Sequence, residues 1–213
     1  MHIHSVIVSY NRPDLLAQCY ASYKETVSIP HTLTIVDNGS ERETLAWLSD
    51  HVASGDRMLF LAENKYPGYA TNRGWENLPP QTTILHRSDN DFVFLPGWCE
   101  EIVRIFNSKP QVGQIGLRTN EEEENASSNV GGNNVIRRKL WDEGLRYDER
   151  PWTSYAPGIT EDSYFTPAVE GLGWTWTRVK TPCVRPISTE DASDPYYRQS
   201  WKDRRIHEDK TRT

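Results

Sequence analysis

Of the 213 residues only three are cysteines, Cys19, Cys99 and Cys183, and no two of them form a C-x-x-C pair. That spacing argues against a disulfide framework and a cysteine-built zinc site, and it fits a reducing, cytoplasmic setting. Long apolar runs are missing as well. Crossing a bilayer takes about 20 predominantly apolar residues. No segment approaches that length, and the run at 6–8 is too short for the apolar stretch of a secretory signal. No transmembrane segment is expected. Glycine-rich phosphate loops are absent too: there is no G-x-x-x-x-G-K-S/T, no G-x-G-x-x-G after the first strand, and "GLGWTW" stands in the wrong context. The histidines His2, His4, His31, His51, His86 and His207 show no metal-ligand spacing, and neither Ser5 nor Ser9 sits in a nucleophile elbow. Hydride transfer, zinc hydrolysis and covalent serine or cysteine hydrolysis therefore rank low.

The length suits one domain with a real core, expected over 1–187, followed by a tail at 188–213. A net charge of -6 argues against broad nucleic-acid affinity. The charge is uneven: 121–124 form an acidic block, and the end "YYRQSWKDRRIHEDKTRT" is net basic. Both read first as solvated segments. Eight tryptophans and ten tyrosines supply core, or flat platforms for sugars and bases.

Along the chain, "SVIVSY" reads as a strand, followed by Asn11-Arg12-Pro13 and the helical spacing of "DLLAQCYASY". Pro13 suits a first helical position, which needs no N–H donor. "TLTIVDNGS" and "ERETLAWLSDHV" repeat the scheme, and "RMLFLAEN" is a third strand with a short helix expected over 68–78. "TTILH" is a fourth strand, "PGWCEEIVRIFNS" an amphipathic helix begun by Pro96-Gly97, and "VGQIGLR" a fifth strand. Beyond Arg118 come a loop-like stretch, then a short strand and helix ending at Gly144. A helix starts near Thr160, and a strand follows with Trp174 and Trp176 on one face. Alternating strands and helices predict an α/β fold, a mostly parallel sheet covered by helices on both faces. Such sheets bind ligands beyond the carboxyl ends of their strands. Three polar clusters fall there: Asn11-Arg12, Asp37-Asn38 and Asp89-Asn90-Asp91.

The last cluster lies in "HRSDNDFVFLPGW", where two carboxylates one residue apart flank a buried run. Such a pair needs either solvated turn chemistry or a cation. On an irregular turn Asp89 and Asp91 can ligate a divalent ion together with phosphate oxygens. Glu161-Asp162 opens a helix, where acidic residues are favoured by the dipole. A carboxylate there can also serve as a general base.

In order, "SVIVSYNRPDLL", "LTIVDNGSERET", "AENKYPGYATNRGWE", "HRSDNDFVFLPGW", "GGNNVIRRKLWDEGLRYDE" and "ITEDSYF" resemble family 2 glycosyltransferases, which have the GT-A (Rossmann-like) fold. The resemblance runs from about Ser5 to Val179. It implies a nucleobase pocket from Ser9, Tyr10, Asn11, Arg12 and the carboxylate of Asp37, an acceptor suited to the N3–H of uracil. It implies a loop along the nucleotide and sugar from Asn64 and the turn from Gly68 to Asn72. Asp89-Asn90-Asp91 resembles the family's D-x-D, with Asp91 the better ligand for Mn2+ or Mg2+ and Asp89 nearer the ribose and metal waters. Gly131-Gly132-Asn133 resembles the strand that closes over donor and acceptor, and Asp162, beside Glu161, matches the position of the catalytic base.

The implied reaction is one in-line displacement: an acceptor hydroxyl deprotonated by Asp162 attacks the anomeric carbon of a UDP-linked sugar and inverts it. Two departures stand out. His86-Arg87-Ser88 occupies what is an apolar strand end in many relatives, and "TPCVRPIS" lacks the histidine that often completes the metal site.

Other readings compete with transfer. A sugar-1-phosphate nucleotidyltransferase would need a G-x-G-x-R-type loop after the first strand, and "SYNRPDLL" has none. A non-catalytic nucleotide-sugar-binding module would not need Asp89, Asp91 and Asp162 together. The acceptor is open among saccharide, protein and small molecule. Arg137-Arg138-Lys139, the basic tail and the aromatics motivate a phage-type enzyme acting on hydroxymethylated DNA bases.

Overall fold

The computed structural model describes residues 1–118, 130–156 and 159–187. Its elements are β1 (Ile3–Ser9), α1 (Pro13–Thr26), β2 (His31–Asp37), α2 (Arg42–His51), β3 (Arg57–Phe60), α3 (Tyr66–Gly74), β4 (Ile84–Asp89), β5 (Phe92–Phe94), α4 (Trp98–Ser108), β6 (Val112–Gly116), β7 (Asn134–Arg137), α5 (Arg138–Asp142), α6 (Glu161–Gly171), β8 (Thr175–Arg178) and β9 (Val184–Pro186). The main sheet runs β3-β2-β1-β4-β7-β6-β8. It is parallel except at β7, which is antiparallel to both β4 and β6.

Side chains alternate across a strand, so each strand feeds two cores. Ile3, Ile7, Ile35 and Ile84 pack with Leu16 and Tyr23 of α1 and with Trp98 and Ile102 of α4. Val6, Val8, Val36 and Leu85 pack on the opposite face with Ala70 of α3, Leu140 of α5, and Phe165 and Val169 of α6. Helices therefore cover both faces, as the alternation predicts.

The structure alters several boundaries. The fourth strand does not stop at His86; it runs through Asp89 because β1 pairs with it as far as Val8 opposite Asp89. The third strand shortens to four residues, since Leu61 already donates to Asp37 O at the sheet edge. The helix expected over 68–78 is Tyr66–Gly74, and the one expected from Pro96-Gly97 starts at Trp98. Trp174 lies just before β8, its indole bonded to Glu143, while Trp176 within β8 bonds Glu170. A second sheet, antiparallel β5 with β9, was not anticipated, and three-residue strands carry too little alternation to reveal it. The tail expected at 188–213 lies outside the described residues. Among the described residues no helix is long and apolar enough to cross a membrane.

His86 is fully buried in a polar ladder across the sheet. Tyr23 Oη donates to Ser5 Oγ (2.8 Å), Ser5 Oγ lies 3.0 Å from His86 Nδ1, His86 Nε2 lies 3.2 Å from Asn133 Oδ1, and Asn133 Nδ2 donates to Ser88 Oγ (2.8 Å). Burial holds the imidazole neutral and lowers its pKa to about 4; burial does the same at His4. A folded-state value below the ordinary one means stability that is complete above pH 6.5 and is lost as pH falls toward 4. Each histidine accounts for on the order of 3 kcal/mol across that window. Denaturant titrations at pH 7 and pH 4.5 are expected to show this loss, and His86→Gln should flatten the slope. An equal slope in the variant would refute the assignment.

Candidate active site

The parallel register sets the first half of the site. Ser9 lies opposite Asp37, and Val8 opposite Asp89, so three strand exits open on one edge. The corner between β1 and α1 is strained: Asn11 and Arg12 are both left-handed, at φ 53° and 55°. Such backbone costs about 1–2 kcal/mol per non-glycine residue. Hydrogen bonds over-determine it. Asn11 N donates to Ser40 Oγ (2.8 Å), Glu41 N to Asn11 Oδ1 (2.8 Å), and Asn90 Nδ2 to Asn11 O (3.1 Å). The result aims Arg12 at the acidic turn, where Nη2 meets Asn90 Oδ1 at 3.0 Å and Nη1 meets Asp91 Oδ2 at 3.3 Å.

Asp37 is buried at the end of β2. Its Oδ2 accepts from Ser40 N at 3.1 Å, while among the described residues neither Oδ1 nor the buried hydroxyl of Ser9 has a partner. An orphaned buried acceptor beside an orphaned hydroxyl suits a ligand that brings a donor. Tyr10 stands exposed next to them. Asn64 sits at the rim, accepting from Asn38 Nδ2 (3.0 Å) and Tyr66 N (2.9 Å).

The second half is organised by Arg87, whose side chain is 1% exposed. Leu85, Arg87 and Asp89 alternate onto the α6 face of β4. Arg87 Nη1 donates to Asp162 Oδ1 (2.7 Å), and Nη2 to Glu161 Oε1 (2.8 Å) and Asp89 Oδ1 (3.3 Å). Its guanidinium carbon lies 4.7 Å from the centre of the Tyr147 ring. Burial opposes the Arg87 charge, but Asp162, Asp89 and Glu161 outweigh it and raise its pKa well above the ordinary value. Burial also pushes the Asp89 carboxyl up, against the pull of Arg87 and with added repulsion from Asp91 and Glu161. Glu161 Oε2 accepts from Trp152 Nε1 at 2.8 Å, which draws an indole beside the acidic pair.

Two glycines permit these approaches. A β-carbon on Gly132 would collide with the Asp89 carboxylate, and one on Gly68 with the carbonyl of Asp148. Asn72 is spent on the same bracing: it donates to Tyr147 O and Glu149 Oε1, both at 2.9 Å, and accepts from Tyr147 N at 3.1 Å. Gly68 and Asn72 thus hold the segment at 147–149 beneath α3, while Ser9, Asn11, Arg12, Asp37 and the acidic turn converge on the open edge.

The donor set fits a hard divalent cation. Asp89, Asp91, Glu161 and Asp162 pair with Arg12 and Arg87, and these six groups formally sum to two negative charges. The ligands on offer are oxygens, which Mg2+ and Mn2+ prefer. Among the described residues no three His, Cys, Asp or Glu side chains gather to enclose an ion. The fit is therefore to a cation held by one or two carboxylates and completed by substrate oxygens. The chain after β9 runs against the acidic turn, where Ile187 N donates to Asp91 O at 2.8 Å.

In the sequence Arg87 stands out only as a departure from an apolar strand end, and nothing in the string marks Trp152 or Tyr147. The available signal was a charged residue inside an apolar strand, since a buried arginine must be paired.

A mostly parallel sheet with helices on both faces and polar clusters at its strand ends is the architecture of the GT-A fold. Residues 5–158 match the model of Glycosyl transferase family 2, and the chain belongs to that family. Among solved structures it is similar to the mannosyltransferase PcManGT from Pyrobaculum calidifontis, in complex with GDP-Man and Mn2+. That pair is 15% identical, covers 95% of this chain and 60% of the other, and has a TM-score of 0.71. It is also similar to S. aureus TarS, residues 1–349, at 13% identity over 90% of this chain and 62% of that one, with a TM-score of 0.68. At such identities the likeness is one of fold, and the chain spans about three fifths of each neighbour's length. No curated protein matches it by sequence.

Proposed function

We propose that the chain is a metal-dependent, inverting glycosyltransferase that takes a UDP-linked sugar. The observation that carries the nucleotide is Asp37. Its Oδ2 already accepts from Ser40 N, while Oδ1 has no partner among the described residues and is the freer acceptor. Uracil offers a single N3–H between two carbonyls, and Ser9 Oγ is at hand to donate to one of them. Guanine offers N1–H and N2–H side by side and would want both carboxylate oxygens. PcManGT was captured with GDP-Man, so the two bases make a direct test.

Asp162 would take the proton of an acceptor hydroxyl, and the freed oxygen would attack the anomeric carbon as the bond to the diphosphate breaks with its electron pair. One displacement inverts that carbon, and the proton ends on Asp162. A divalent cation bound at Asp91, with Asp89 beside it, would offset charge on the leaving diphosphate. Arg12, already at Asn90 and Asp91, would flank the same diphosphate. Buried, unbridged Cys19, Cys99 and Cys183 suit the reducing, cytoplasmic setting expected above.

The acceptor class stays open, a modified DNA base included: the basic triplet behind that reading is partly engaged within the fold, and the basic tail lies outside the described residues. Arg137 donates to the carbonyls of Val112, Phe106 and Lys109, Arg138 to those of Pro79, Pro80 and Thr82, and Lys139 pairs with Glu143.

The test is a thermal-shift panel of UDP, GDP and ADP with and without Mn2+. UDP is expected to stabilise most. Asp37→Asn offers one acceptor where Ser40 N and the base need two, so it should weaken UDP binding about 10- to 100-fold. A larger shift with GDP would overturn the uracil reading, and indifference to every nucleotide would overturn the donor site.

A further inference from the structure

Resting on that reading, we propose that Arg87 is a positioning residue that keeps the base Asp162 in register with the donor-side strand. One planar guanidinium bridges two elements here. From β4 it reaches Asp162 and Glu161 on the first turn of α6, and it shares Nη2 with Asp89 of its own strand. The bridge is itself held. Tyr147 lies under the guanidinium and stacks on Phe165 of α6, with ring centres 3.7 Å apart and planes 5° from parallel. Asn134 Nδ2 of β7 donates to the Tyr147 hydroxyl at 3.0 Å. Arg87 cannot leave this place without exposing three carboxylates to one another, and with 1% exposure it has no room to swing.

A base is effective only when held within reach of the proton it removes, and a third group commonly orients it. Arg87 fills that role through geometry that charge alone would not supply. A lysine keeps the charge but offers a point donor on a flexible stem instead of a rigid fork. It can hold one of the three carboxylates well, not β4 and α6 together. Asp162 would then drift relative to the acidic turn that receives the donor. Loss of alignment by about 1 Å can cost on the order of a hundredfold in rate. Donor binding rests mainly on Asp37, Ser9 and Asp91, and the one donor-side contact of Arg87, to Asp89, is its longest at 3.3 Å, so donor affinity is expected to change little.

The experiment follows Arg87→Lys in the full chain, measuring UDP release from UDP-glucose, UDP-galactose and UDP-N-acetylglucosamine in the presence of Mn2+, with UDP affinity from calorimetry. Turnover is expected to fall about 10- to 100-fold, while the donor KM stays within about threefold. Adding Arg87→Lys to Asp162→Asn should cause no further loss, because both act through one base. Wild-type turnover in Arg87→Lys, or a loss confined to KM, overturns the proposal. Full turnover in Asp162→Asn instead sinks the base reading, so the two failures are distinct. If circular dichroism shows Arg87→Lys unfolded, Glu161→Gln loosens the same fork from α6. Lower turnover at unchanged KM then supports positioning, and wild-type turnover reduces Arg87 to a structural residue.

Discussion

Asp162→Asn is expected to lower turnover about a thousandfold while leaving UDP affinity and melting temperature nearly unchanged. The amide is isosteric and retains an oxygen for Arg87 Nη1, which now meets Asp162 Oδ1 at 2.7 Å. Arg87 keeps Glu161 and Asp89 as charged partners, so no buried cation is left alone. The first turn of α6 loses a charge but none of its packing, because Phe165 and Val169 lie further along the helix. What disappears is the ability to accept a proton. Steady-state release of UDP alongside calorimetric binding checks both halves of the expectation. Retained turnover would remove Asp162 as the base.

The second large effect is at Asp91. Asp91→Ala is expected to abolish the Mn2+-dependent part of UDP stabilisation and to reduce turnover at least about a thousandfold, since a bound cation is worth several kcal/mol of charge stabilisation. Asp91 lies on the open edge with 18% of its side chain exposed and pairs with Arg12. Removing the carboxylate frees Arg12 to approach the diphosphate, so metal-independent UDP binding should survive in part. Thermal shifts with Mn2+, with Mg2+ and with chelator separate these contributions. An unchanged metal requirement in the variant would move the cation site elsewhere.

The acidic turn also illustrates how far the sequence could be read. Two carboxylates beside a buried run raise a demand for compensation that is visible in the string "HRSDND". Part of the answer is two residues away in the same strand. Arg87 was legible as an oddity, a cation where apolar residues are expected. Its partners were not legible, because Asp162 and Glu161 are 75 and 74 positions distant and are brought in by the packing of α6. Arg12 reaches Asp91 across 79 positions through two consecutive left-handed residues, a backbone that Asn11 favours but Arg12 does not. The basic triplet is a second case. Its three cations are alike in the string, yet the structure sets donors of Arg137 and Arg138 on nearby carbonyls and pairs Lys139 with a glutamate.

By itself the sequence determined the alternation of strands and helices and the placing of polar clusters after strands. Those are consequences of local periodicity and of turn chemistry, and neighbouring residues carry both. Only the tertiary structure decided which cation answers which carboxylate. Charge pairing in a buried site depends on distance through space, and the sheet register and the docking of α6 set those distances between residues that the chain itself keeps far apart.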